Sequence, residues 1–229
     1  MSPDGKHVVR DCGYGSTLKG YGLVLQDVST GQRRTILPSP SWPHQLTARW
    51  SPDGRQIAVA VASTRVVVID VDDLEVHDVT TGPVEGNVNG ITWSPDGQTL
   101  LTEDCTTIDM ATGTVTARPD LCPPLPDGWS SYSRMSRWAP NGLIYITFEI
   151  SFPGSLASTR TLHVVDPATG ASEILLSQSG YMGRVQFLPG GRLLVNRDEN
   201  TALVLDGDGS HPHTLAAPFG MSFVAARPL

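Results

Sequence analysis

Lysine is nearly absent from this chain, cysteine is scarce, and no long apolar run occurs in it. Of 16 basic residues only Lys6 and Lys19 are lysines, against 23 acidic residues and a formal net charge of −7. Phosphate backbones are held by clustered Lys and Arg, and no such cluster exists here, so no nucleic-acid partner is expected. The longest apolar stretches, Ile57 to Ala62 and Val66 to Ile69, fall far short of the about 20 residues a spanning helix needs, so no membrane span is expected. No charged start leads into an apolar segment and a small-residue cleavage site. The chain reads as cytoplasmic as it stands, and as extracytoplasmic if a signal or anchor lies upstream of Met1. The cysteines, Cys12, Cys105 and Cys122, match no metal-binding spacing and are odd in number. Three reduced thiols is the simple reading; a Cys105 to Cys122 bridge around one hairpin would require an oxidising compartment.

Catalytic signatures are missing too. The chain contains no G-x-S-x-G, no H-E-x-x-H, no phosphate-binding glycine loop and no dinucleotide fingerprint. Gly13-Tyr14-Gly15-Ser16 lacks the lysine and helix that a phosphate cradle needs. The acidic pairs Asp72-Asp73 and Glu103-Asp104 fall at strand ends or turns, with nothing to raise one carboxyl above the other. No catalytic residue, cofactor or metal is assigned.

What is present is glycine, proline and repetition. With 23 Gly, 18 Pro and 39% hydrophobic residues, the composition suits short strands joined by many turns. Ser2-Pro3-Asp4-Gly5 recurs as Ser51-Pro52-Asp53-Gly54 and Ser94-Pro95-Asp96-Gly97, and more weakly as Ala139-Pro140-Asn141-Gly142 and Leu188-Pro189-Gly190-Gly191. The prolines are 49, 43, 45 and 49 residues apart, a period that belongs to repeat architectures. Each copy reads as a hairpin turn, with Pro setting an early φ and Asp-Gly or Asn-Gly supplying a positive one.

An aromatic precedes four of the turns, as Trp50, Trp93, Trp138 and Phe187, and reads as core between repeats. After the turns come apolar runs at Gln56 to Ala62, Thr99 to Thr102, Leu143 to Phe148 and Leu193 to Val195. Third strands end on aspartate: Leu23 to Asp27, Val66 to Asp70, Thr107 to Asp109, Leu162 to Asp166 and Ala202 to Asp206. Fourth strands follow at Arg33 to Leu37, Leu74 to Val79, Val115 to Ala117, Ser172 to Leu176 and His213 to Ala216. Four strands per period is the pattern of a propeller blade.

On these residues the chain resembles the WD-repeat-like propellers of the TolB type, whose repeat carries Trp-Ser-Pro-Asp-Gly and an Asp-x-Asp-Gly turn. Here those are Trp50 to Gly54, Trp93 to Gly97 and Asp206-Gly207-Asp208-Gly209, and the likeness covers essentially the whole chain. It implies an all-β fold, a β-propeller of about five four-stranded blades in one domain over 1–229, with repeats near 1–43, 44–86, 87–130, 131–179 and 180–229. The chain starts at a turn, so the first blade lacks its innermost strand. Ser222 to Pro228 would supply it and close the ring; the alternative is a larger ring with further residues before Met1.

In a propeller the loops after the second and fourth strands share one face, which the resemblance makes the binding face. The long ones are Asp11 to Gly20, Ser151 to Arg160 and Pro119 to Ser131. Tyr14, Tyr21, Trp42, His44, Trp129, Tyr132, Tyr181 and Phe219 gather in such segments, and large aromatics with a polar tip suit a protein partner, a carbohydrate or a small ligand. His211-Pro212-His213 is placed on an outermost strand beside turn aspartates and is not taken as a metal site. His7, His77 and His163 read as ordinary surface or interface residues. The expectation is a non-catalytic interaction or ligand-binding module. One alternative is a propeller enzyme acting on carbohydrate at the channel mouth, through Arg49, Arg137, His44, Tyr132 and Arg184; another is the sensor or gating domain of a longer protein.

Overall fold

The computed structural model describes residues 1–12, 21–39, 47–61, 65–79, 90–124, 130–151, 158–179, 182, 185–196 and 201–216. Their strands are β1 (His7–Cys12), β2 (Tyr21–Asp27) and β3 (Arg33–Ser39); β4 (Thr47–Trp50), β5 (Gln56–Val61), β6 (Arg65–Asp70) and β7 (Val76–Asp78). There follow β8 (Ile91–Trp93), β9 (Thr99–Thr102), β10 (Thr106–Asp109) and β11 (Val115–Ala117), then β12 (Ser130–Trp138), β13 (Ile144–Ser151), β14 (Ser158–Val165) and β15 (Ser172–Ser179). The last group is β16 (Val185–Phe187), β17 (Leu193–Asn196), β18 (Thr201–Leu205) and β19 (His213–Ala216). Each group is one antiparallel sheet whose strands pair in sequence order, the first of three strands and the other four of four. This is the expected all-β blade pattern, one blade per repeat. The chain divides into two compact units, Met1–Arg118 with three blades and Pro119–Leu229 with two.

The core of the first unit follows from the two-residue period of a strand, which sends alternate side chains to opposite faces. In blade two, Ile57, Val59, Val67 and Ile69 pack against Leu23, Leu25 and Ile36 of blade one. Their neighbours Ala58, Ala60, Val66 and Val68 pack against Ile91, Trp93, Leu100 and Ile108 of blade three. The longest apolar runs in the sequence are therefore a blade's two middle strands, buried on both faces. In the second unit Tyr145 and Leu162 of blade four meet Val185, Leu193, Val195, Leu203 and Leu205 of blade five.

Three of the four motif aromatics meet a neighbouring blade, while Trp138 donates its indole N–H to the Gly142 carbonyl of its own turn at 2.9 Å. Trp93 donates its indole N–H to the Arg49 carbonyl in β4, 3.0 Å away, and Phe187 meets Tyr145 edge-on at 5.4 Å. Trp50 stacks on His7 at 6.4 Å, and its buried Nε1 has no acceptor among the described residues. The acceptor position that Arg49 fills for Trp93 belongs to an innermost strand, which blade one lacks among the described residues. The strand expected at Ser222 to Pro228 lies outside them.

The Ser-Pro-Asp-Gly turn is a hydrogen-bonded box. In the second copy the Ser51 hydroxyl donates to Asp53 Oδ1 at 2.6 Å and accepts from the Gln56 amide at 2.9 Å, while Asp53 accepts from the Arg55 amide at 3.0 Å. Ser94 and Asp96 repeat these bonds with Thr99 and Gln98, and Ser2 and Asp4 with His7 and Lys6. Gly5, Gly54 and Gly97 take φ of +74°, +74° and +72°, the left-handed region that only glycine enters without cost. The two copies without serine are a residue shorter. Trp50 pairs with Ile57 and Trp93 with Leu100, whereas Trp138 pairs with Ile144 and Phe187 with Leu193. Both forms close backbone to backbone, by Ser51 N–H to Gln56 O at 2.9 Å and by Ala139 N–H to Leu143 O and Leu188 N–H to Arg192 O at 2.8 Å; the longer form adds the bond to the serine hydroxyl.

A second turn, after the third strand, is held by its aspartate. Asp27 accepts from the Ser29 and Thr30 amides, both at 2.8 Å, and Asp109 from those of Ala111 and Thr112 at 3.0 and 2.8 Å. Gly31, Gly113 and Gly170 close this turn with φ near +70°, whereas blade two puts Leu74 there at φ +64°. Leu74 therefore ends the turn, and the strand expected from Leu74 begins at Val76. Other strands overrun their expected ends: Asp11 and Cys12 belong to β1, and Ser158 to Arg160 to β14 rather than to loops. Cys105 and Cys122 are both disulfide-bonded.

Replacing Ser94, which is buried, by alanine leaves the Thr99 amide without its acceptor and is expected to cost roughly 1–3 kcal/mol. Ala139→Ser, in the shorter turn, is expected to gain nothing. Urea unfolding midpoints check both; equal midpoints for Ser94→Ala and the parent chain would remove the hydroxyl from its structural role.

Candidate functional site

Antiparallel pairing gives each blade two unlike ends. Turns after the first and third strands lie at one end, and loops after the second and fourth at the other. All eight candidate aromatics and histidine fall at or near the loop end in sequence. Tyr14, Trp42, His44, Trp129, Tyr181 and Phe219 lie outside the described residues, as does Arg184. Tyr21 opens β2, its backbone paired with Ser39. Tyr132 is the extra residue of a β-bulge, because the β12–β13 register shifts between Ser131 and Ser133. Arg49 lies in β4 and caps the Ala48 carbonyl at 2.9 Å, and Arg137 lies in β12 opposite Tyr145.

One pair at the loop end of blade four escaped sequence reasoning. Arg160 of β14 holds Glu149 of β13 at 2.5 Å and donates to the Met182 carbonyl at 3.0 Å. Both side chains are about three-quarters buried, at 22% and 26% exposure. Only the cross-strand register brings these two together, so no local motif could announce them.

At the turn end the carboxylates are engaged by their own turns. Hydrogen bonds from Ser2 and the Lys6 amide hold Asp4 down to about 2. Those from Ser29 and Thr30 hold Asp27 well below the ordinary carboxylate range. Asp53, Asp96, Asp109 and Asp208 are lowered in the same way, chiefly by Ser51, Ser94, Thr112 and Ser210. Such groups stay ionised at neutral pH and serve as fixed acceptors, not as proton donors.

The histidines divide. His211 is not on the outermost strand as expected: it sits in the preceding turn at φ +50°, its Nδ1 2.9 Å from Asp206 Oδ2, and only His213 enters β19. His7 lies 3.8 Å from Asp27, and exposed His77 3.6 Å from Glu75. His163 is buried, with Nε2 3.0 Å from Thr161 Oγ1 and the Phe148 ring edge-on at 5.1 Å. Among the described residues no three His, Cys, Asp or Glu side chains group so as to hold a metal ion.

The second unit contains a cavity that the sequence did not announce. It measures about 480 Å³ and lies at the turn end between blades four and five, lined by Ala139, Pro140, Asn141, Tyr145, Phe187 and the Leu188–Gly191 turn. Tyr145 donates its hydroxyl to the Gly207 carbonyl at 2.8 Å, and burial pushes its phenol above the usual value.

Antiparallel blades, one per repeat, four-stranded in all but the first and packed face to face within each unit, define the β-propeller class. Neither a family model nor a curated protein matches the sequence. Solved structures match the fold. TolB from Acinetobacter baumannii superposes with a TM-score of 0.62 at 19% identity, over 94% of this chain and 52% of that one, so the chain spans about half of TolB. An oligogalacturonate lyase in complex with manganese gives 0.55 at 14% identity, over 95% and 75% of the two chains. The Cps50 (Swd1) β-propeller domain of Myceliophteria thermophila gives 0.57 at 16% identity, over 85% and 65%. The fold is therefore that of the TolB and WD40 β-propellers.

Burial lowers the pKa of His163 from 6.5. Above that pH folded and unfolded chains are both neutral at this site; below it the unfolded chain binds the proton first, so stability falls as pH drops. Between pH 7.5 and 5.5 the parent chain is expected to lose stability faster than His163→Asn, by at most about 1.4 kcal/mol per pH unit. Urea unfolding at both pH values tests this, and parallel profiles would refute it.

Proposed function

We propose that the chain is a non-catalytic binding module that presents the loop end of its blades to another protein. The observation that carries this reading is the contrast between the two ends. At the turn end, aspartates and serines are consumed by hydrogen bonds within their own turns. The loop end is where Tyr14, Tyr21, Trp42, His44, Trp129, Tyr132, Tyr181 and Phe219 concentrate in sequence, beside the bulge at Tyr132 and the largely buried Glu149–Arg160 pair. Aromatic anchors of this kind dominate protein interfaces. In this reading the five repeats act as one propeller domain over 1–229.

A second reading, action on a carbohydrate, is favoured by the likeness to an oligogalacturonate lyase bound to manganese. The two readings separate in one experiment. A photo-crosslinking residue placed at Trp42 or Trp129 in the native host is expected to capture a discrete protein, and one at exposed Val28 of the turn end is not. With that partner in hand, Trp129→Ala is expected to weaken binding by about 2 kcal/mol or roughly 30-fold. Manganese-dependent cleavage of oligogalacturonate by the purified chain, with no adduct from either loop position, would replace the first reading by the second.

A further inference from the structure

We propose that the cavity between the turns of blades four and five is a binding site for a small, uncharged, mostly apolar molecule that carries a ring. It goes beyond the loop-end reading and stands or falls apart from it.

The repeat supplies the comparison. In the first unit, neighbouring Ser-Pro-Asp-Gly turns touch, each proline lying over the next blade's glycine. A methyl group built on Gly54 would meet Pro3 Cδ at 3.3 Å, and one on Gly97 would meet Pro52 Cδ at 3.8 Å. A prolyl ring thus fills the space between turns. In blades four and five the contact is missing: a methyl on Gly190 or Gly191 would meet nothing within 4 Å, although Pro140 stands on the opposite wall. The turn of blade five is the shorter form, with two consecutive glycines at φ +78° and +76° and no serine or aspartate. It fills less of the gap, and about 480 Å³ stays open, within the range of small-molecule sites.

The walls define the ligand. Tyr145 and Phe187, edge to face at 5.4 Å, and Pro140, Pro189, Ala139 and Leu188 are apolar, and none of the lining residues is charged. A charged ligand would lose its hydration with no counter-charge to replace it. Asn141, whose Oδ1 accepts from the Leu143 amide at 3.1 Å, and the Gly190 and Gly191 backbone supply the few polar contacts that would fix orientation. The back of the gap is closed. Tyr145 bonds the Gly207 carbonyl at 2.8 Å, and a methyl on Gly207 would strike the Gly191 carbonyl oxygen at 2.9 Å. A closed back suits a compact molecule better than a strand passing through.

The test uses the full chain and the neutral fluorophore N-phenyl-1-naphthylamine. Saturable binding of one equivalent is expected. Asn141→Trp and Pro189→Trp, both at exposed turn positions on the rim, are each expected to weaken it at least tenfold with the melting temperature held within a few degrees. Val28→Trp, on an exposed turn of blade one, is expected to leave it unchanged. Neutral 1-naphthol should compete and 1-naphthoate should not. Non-saturable binding, or affinity indifferent to both rim substitutions, overturns the site. Equal competition by 1-naphthoate overturns the uncharged ligand class, and stronger competition by a proline-rich peptide overturns the small-molecule assignment.

Discussion

A sheet with apolar side chains on both faces cannot remain alone in water, and this constraint organises the molecule. Blade two is the clearest instance. Residues 57, 59, 67 and 69 need blade one, and residues 58, 60, 66 and 68 need blade three. Fully burying each aliphatic side chain is worth roughly 1.5–3 kcal/mol, and the strands carry almost nothing else. Because side chains alternate with a period of two, a slip of one residue would exchange the two faces and set every residue against the wrong neighbour. Whatever fixes the register therefore fixes the packing of each unit.

The turns fix it. A six-residue connection that adds a serine-hydroxyl bond and a five-residue connection without one, both closed backbone to backbone, deliver the next strand with the same facing residues, Trp50 to Ile57 in one form and Trp138 to Ile144 in the other. The serine is thus coupled to turn length: it is present where one amide more must be satisfied and absent where it is not. The same economy explains the aspartates. Their lowered pKa values arise from hydrogen bonds donated inside the turn, so an acidic surface of this kind reports architecture and not acid–base chemistry.

This logic decided what could be read in advance. The strands β9, β11 and β19 match the sequence reading to the residue because turn residues mark their ends. Leu74 and His211 were misplaced because both adopt positive φ without being glycine, and no local signal marks such a residue. β12 and β14 run further than expected because their ladders continue through Ser130 to Ser133 and Ser158 to Thr159, polar stretches with no apolar alternation to reveal them. Glu149–Arg160 depends on register, and His163 on a face that the polar neighbours Thr159, Arg160 and Thr161 disguise. The cavity was least legible, since it consists of a contact that is not made.

Its position follows from the same rule. A repeat that satisfies every turn and fills every inter-turn gap has no room at the turn end for anything but itself, as Pro3 on Gly54 and Pro52 on Gly97 show. Room appears where the repeat is broken, and the break here is double: the hydroxyl-bridged box is lost in both Ala139–Gly142 and Leu188–Gly191. Two adjacent glycines at positive φ carry an entropic cost on folding, and an open apolar gap forfeits the dispersion contacts that its walls would otherwise make. Local rules broken without an internal compensation point to a role outside folding. Half-buried Phe187, packed edge-on against buried Tyr145 and its bond to Gly207, forms the floor of the gap that the broken repeat leaves open.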